Sequence, residues 1–126
     1  MSQELRRLPD SELEVMQAVW DLKPPAERAD IEAALAAHGR SMAQTTLLTL
    51  LSRLAEKGFI KIEKSGRRSV YVPLTDRHAY QAAQSRSFVD KVFGGSISAF
   101  AAALCDSALT REEIDELRRL LERDEL

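Results

Sequence analysis

Thr45, Thr46, Thr49, Ser52 and Arg53 set four hydroxyls and one guanidinium within nine residues. These groups do no covalent chemistry unaided, but they suit recognition. A threonine offers its hydroxyl to a base edge or phosphate and its methyl to a thymine, and an arginine reaches the phosphate backbone. Spacing decides how they are displayed. Wound as a helix at about 100° per residue, residues 42–59 place Leu47, Leu50, Leu51 and Leu54 on one side and the hydroxyls with Arg53 on the other. Threonine is a poor helix former, and a merely solvated face is ordinarily built of Glu, Lys or Gln. The stretch therefore reads as a DNA recognition helix, with Gln44, Thr45, Thr46, Thr49 and Arg53 as its DNA-binding residues.

A recognition helix needs neighbours that fix its angle. After Gly58, Ile60-Lys61-Ile62-Glu63-Lys64 and Val70-Tyr71-Val72 alternate apolar and polar residues around Ser65-Gly66-Arg67-Arg68, the pattern of a hairpin. Its tip carries Lys64, Arg67 and Arg68, so helix and hairpin together have the layout of a winged helix-turn-helix that binds double-stranded DNA. Upstream, a capping box of Ser11 with Glu14 predicts a first helix from about Glu12 to Leu22, with Leu13, Met16, Val19 and Trp20 as its core stripe. A second helix is expected from about Glu27 to His38, with Ile31, Ala34 and Leu35 inward and Gly39 as its stop. The link through Arg40, Ser41 and Met42 is short enough to set the angle between two helices. Arg40 itself is placed either to touch phosphate or to remain a solvated turn residue.

The net charge of −2 conceals an uneven distribution. Residues 38–74 hold seven Lys and Arg against Glu56 and Glu63, a balance of +5, whereas residues 75–126 balance at −3. A basic part joined to an acidic part fits a DNA-reading segment and a segment with another task. The single cysteine, Cys105, allows no intramolecular disulfide and no cysteine-rich metal site; it reads as a small core residue. No apolar run approaches the roughly 20 residues of a membrane span, so no membrane insertion is expected and the cytoplasm is the expected location.

Beyond Pro73, Thr75 is placed to cap a long helix from Asp76 to about Phe93, broken by Gly94-Gly95. A second piece covers Ser96 to Cys105, and Thr110 with Glu113 forms a capping box that starts a third. Phe88, Val92, Phe93, Ile97, Phe100, Leu104, Ile114, Leu117 and Leu121 bring more apolar surface than these short helices can bury alone. A homodimer whose tails complete each other's cores resolves the excess. The expected architecture is mostly α: a winged helix-turn-helix DNA-binding domain at 1–74, then a three-helix dimerisation region at 75–126.

These residues also carry a resemblance. Leu13-Glu14-Val15-Met16 with Trp20, Thr45-Thr46-Leu47 with Thr49, Leu51, Arg53, Leu54, Lys57 and Gly58, Gly66-Arg67-Arg68 with Tyr71 and Pro73-Leu74, and Ser87-Phe88 with Phe93-Gly94-Gly95-Ser96 resemble the BlaI/MecI/CopY family of penicillinase repressors over nearly the whole length. The resemblance implies a dimeric bacterial repressor on a palindromic operator, with the threonines in the major groove and the tail as dimer interface. In the penicillin-responsive branch it also implies a sensor protease and a cut at an Asn-Phe bond in the tail. No Asn-Phe occurs here; the nearest matching bond is Ala103-Leu104. The paired Cys-x-Cys motifs of the copper-responsive branch are absent as well.

An enzyme would need a nucleophile beside a base, a metal cluster or a phosphate-cradling loop. His38, His78 and Cys105 are scattered, so no catalytic residue, metal site or cofactor is expected. The competing reading is a winged helix that binds proteins and not DNA.

Overall fold

Each recognition side chain is held by a helix whose other face is leucine. The computed structural model describes residues 6–107 and 109–123, as α1 (Asp10–Asp21), β1 (Ala26–Glu27), α2 (Arg28–Ala37), α3 (Gln44–Glu56), β2 (Ile60–Ser65), β3 (Arg68–Pro73), α4 (Arg77–Phe93), α5 (Ile97–Ser107) and α6 (Arg111–Glu122). The architecture is mostly α, as expected, with one antiparallel sheet in the order β1-β3-β2. Val15, Met16 and Val19 of α1, Ile31 and Leu35 of α2, and Leu47, Leu50, Leu51 and Leu54 of α3 are buried in one core. Trp20 packs against it half-buried, its indole N–H donating 2.8 Å to the Thr75 carbonyl.

The hairpin closes through Gly66-Arg67, with Ser65 opposite Arg68. Gly66 has φ +67°, a backbone that suits glycine because a Cβ there meets the preceding carbonyl. β1 was not foreseen: two residues lay Ala26 opposite Tyr71 and Glu27 opposite Val70. Periodicity needs about four residues to show a strand, so the pairing is visible only in three dimensions.

Three local expectations change. Helix α1 starts two residues early at Asp10, because Pro9 is extended (ψ 153°) and its carbonyl accepts from Leu13 N–H at 2.9 Å. Ser11 is thereby inside the helix and forms no cap. At α4 the first turn is capped by Asp76, whose Oδ2 accepts from Ala79 N–H at 3.0 Å, whereas Thr75 is buried. Cys105 is exposed and not a core residue, since it lies on a face of α5 that no described residue covers. The chain forms two compact units, the first ending at Gln84 and the second beginning at Ser85, and Tyr80 belongs to the first, the head. Its hydroxyl accepts from Leu8 N–H at 2.8 Å, and its ring stands 5.7 Å from both Trp20 and Phe59.

In the second unit, Gly94 and Gly95 (φ +59° and +85°) separate α4 from α5, and Phe88, Phe93 and Phe100 meet edge to face with centroids 5.5–6.2 Å apart. The Thr110–Glu113 capping box forms as expected, with bonds of 3.1 and 2.9 Å. Phe88, Val92, Ile97, Leu117 and Leu121 are exposed on the single chain, while Phe93, Phe100, Leu104 and Ile114 are half-buried. Ala103-Leu104 lies within α5, both residues half-buried. Among the described residues no single helix is long and apolar enough to cross a membrane.

The end of α3 is tied to α1 by charge. Glu12 is 3% exposed and accepts from Lys57 Nζ. Lys57→Met is expected to cost about 1–3 kcal/mol, because the carboxylate left behind is buried without a partner. Urea unfolding checks this, and a loss no larger than for an exposed lysine would show that the ion pair contributes nothing.

Candidate nucleic-acid interface

The recognition face is built as the pattern requires. Leu47, Leu50, Leu51 and Leu54 are buried, and Gln44, Thr45, Thr46, Thr49, Ser52 and Arg53 are all exposed. Thr49 Oγ1 donates 3.0 Å to the Thr45 carbonyl, a back-bond that satisfies its proton and leaves oxygen lone pairs and a methyl facing out. The hydroxyls of Thr45, Thr46 and Ser52 have no hydrogen-bond partner among the described residues, and Arg53 has no ion pair there. Donors already exposed and unbonded reach a ligand without first breaking an internal contact.

The wing is less uniform than its sequence. Arg67 is exposed with no ion pair among the described residues, and Lys64 makes only a long 3.4 Å contact to Ser69 Oγ. Arg68 is engaged: its Nη1 donates 2.9 Å to Glu27 Oε1. Arg40, exposed between α2 and α3, pairs with Glu14 in the unbound chain.

Between α2, α3 and the wing lies a cleft of about 480 Å³, lined by Glu27, Arg28, Ala29, Leu48, Arg67, Arg68, Ser69 and Tyr71. Burial pushes the Tyr71 phenol above its ordinary value, against the opposing pull of the Arg28 charge, so it lines the cleft as a neutral hydroxyl. Arg28, Glu27 and Leu48 line this cleft but are not among the candidates that the sequence offers. One signal was available for Arg28, since a cation in the first turn of a helix opposes the macrodipole; its pairing with Glu32 at 3.5 Å explains part of its presence there. Among the described residues no group of three or more His, Cys, Asp or Glu side chains is gathered to hold a metal.

Three helices, a basic wing and an outward polar face on the third helix define a winged helix-turn-helix protein. A profile for the penicillinase repressor matches residues 8–123, and the chain belongs to that family. It is similar to the penicillinase repressor of Bacillus licheniformis, 30% identical over 117 residues that cover 92% of this chain and 90% of that protein. The methicillin resistance regulatory protein MecI of Mammaliicoccus sciuri is 28% identical over 122 residues, 96% of this chain and 98% of that protein. The solution structure of the DNA binding domain of the repressor BlaI matches with a TM-score of 0.50 at 29% identity, covering 60% of this chain and 90% of that one. The family consists of transcriptional repressors and not of enzymes.

Proposed function

We propose that the protein represses transcription as a homodimer on a palindromic operator. The face of α3 lies in the major groove, the wing lies on the neighbouring backbone, and the tail helices join the protomers. The observation that carries this reading is the division of α3: four leucines buried beneath a row of exposed hydroxyls and an unpaired arginine. A helix needs no such row for its own stability, and a protein-binding winged helix needs no basic hairpin beside it. Selection of bound fragments from genomic DNA tests the reading. Half-sites about one helical turn apart, near 10 bp, are the expected result.

Thr46→Ala and Thr49→Ala are each expected to cost about 1–3 kcal/mol on operator and to relax base preference at particular positions, whereas Arg53→Ala weakens binding to every sequence. Titration of operator and scrambled duplexes reads the difference. Equal losses on both duplexes for all three variants would sink direct readout by α3.

Lys64→Gln and Arg67→Gln are expected to lower the slope of log K against log salt by up to about 0.9 each. An unchanged slope would remove the wing from the interface.

Release is assigned to the tail. Phe88, Val92, Phe93, Ile97, Phe100, Leu104, Ile114, Leu117 and Leu121 form the proposed dimer contact, and a protease cutting near Ala103-Leu104 would separate its two parts. Relatives that bear the names of penicillin and methicillin resistance support a beta-lactam response. The cytoplasm, where an operator is reached, is the proposed location.

A further inference from the structure

Strand β1 brings an acidic residue to the wing. Glu27 lies opposite Val70 across the β1–β3 ladder, and side chains two apart along a strand share a face, so Arg68 is the diagonal neighbour of Glu27. The 2.9 Å bond between Arg68 Nη1 and Glu27 Oε1 is the result. Glu63, on the far side of the same Val70, is taken by Lys61 at 3.1 Å. Glu27 is therefore the carboxylate that holds Arg68, while Arg67, the next residue, is left open.

We propose that Glu27 determines how much of the wing's charge reaches DNA: its carboxylate competes with backbone phosphate for Arg68 and so holds down sequence-independent binding. This rests on the DNA-binding reading above. Phosphate contacts dominate affinity for arbitrary sequence and carry no base information. A cation latched to its own protein contributes to such binding only after its ion pair is broken. The pair is exposed at both ends (side-chain exposures 74% and 43%), which makes it weak enough to be exchanged. It therefore acts as a graded brake.

The test is a double-mutant cycle of Glu27→Gln and Arg68→Ala in the full chain, titrated with a scrambled duplex at several salt concentrations. Glu27 is also half of the α2 capping box, its side chain accepting from the Asp30 N–H while its own N–H donates 3.0 Å to Asp30 Oδ2; glutamine keeps a side-chain oxygen of the same reach and leaves the Asp30 half intact, so E27Q keeps the helix start. E27Q is expected to tighten binding about two- to fivefold at low salt, the strength of one exposed ion pair. It should steepen the salt slope by up to about 0.9. E27Q should lose its effect when R68A is present. An equal gain from E27Q in both backgrounds would reduce Glu27 to a distant charge and overturn the latch, as would no gain at all. If no variant, the unsubstituted chain included, binds duplex DNA at low salt, the DNA-binding reading itself falls.

Discussion

Removing residues 104–126 is expected to yield a monomer that has lost operator affinity by about a hundredfold or more. A single head makes one set of groove contacts. Joining two converts the second half-site into an intramolecular encounter, commonly worth 10²-fold or more without any new contact; a hundredfold is about 2.7 kcal/mol. The truncation removes Leu104 and all of α6, whose Ile114, Leu117 and Leu121 recur on one side of a helix in which no residue is buried by the rest of the chain. In the proposed dimer a second copy of the tail supplies that stripe with a partner surface of matching chemistry. Sedimentation and operator titration of the truncated chain measure both quantities. A truncated protein that stays dimeric, or binds as tightly as the full chain, would show that release does not run through this region. A protease acting at Ala103-Leu104 also meets a helix, since the bond lies inside α5. Cleavage should therefore follow local opening of that helix, and its rate should track the opening equilibrium.

A head ended at Leu74 is expected to be less stable than one ended at Gln84 by about 3–5 kcal/mol, the usual cost of losing a large buried aromatic. Tyr80 is 4% exposed, and its ring meets Trp20 and Phe59 while its hydroxyl holds the main chain at Leu8. Ending at Leu74 also removes the Thr75 carbonyl that receives the Trp20 indole proton. For a domain of this size each kcal/mol moves Tm by about 4–8 °C, so the two heads should melt about 12–40 °C apart. Equal melting temperatures would mean that the core closes without Tyr80. A shorter head that fails to bind operator at 25 °C should then be compared at a lower temperature, to separate unfolding from a lost contact.

The difference between these two heads shows where local sequence stops being informative. Residues 44–56 specify an amphipathic helix by themselves: its leucines repeat at helical spacing, and burial of that face leaves the threonines, Ser52 and Arg53 outside. The wing was legible for a similar reason, because alternation of period two flanks a turn centred on Gly66. So was the Thr110–Glu113 cap, whose partners lie three residues apart. Each of these features is settled by neighbours within about one turn or one hairpin. Tyr80 sits in a polar helical stretch, and its burial comes from Leu8, Trp20 and Phe59, which are remote in the chain. Strand β1 is two residues long and exists only because β3 offers an open edge to it. The same holds for charge: composition counts Arg40, Lys57 and Arg68 alike as basic. Tertiary structure hands them to Glu14, Glu12 and Glu27, while Arg53 and Arg67 stay unpaired among the described residues. Which cations a protein keeps for its own folding and which it offers to a partner depends on distances of a few ångströms between segments far apart in sequence, and only the folded chain sets those distances.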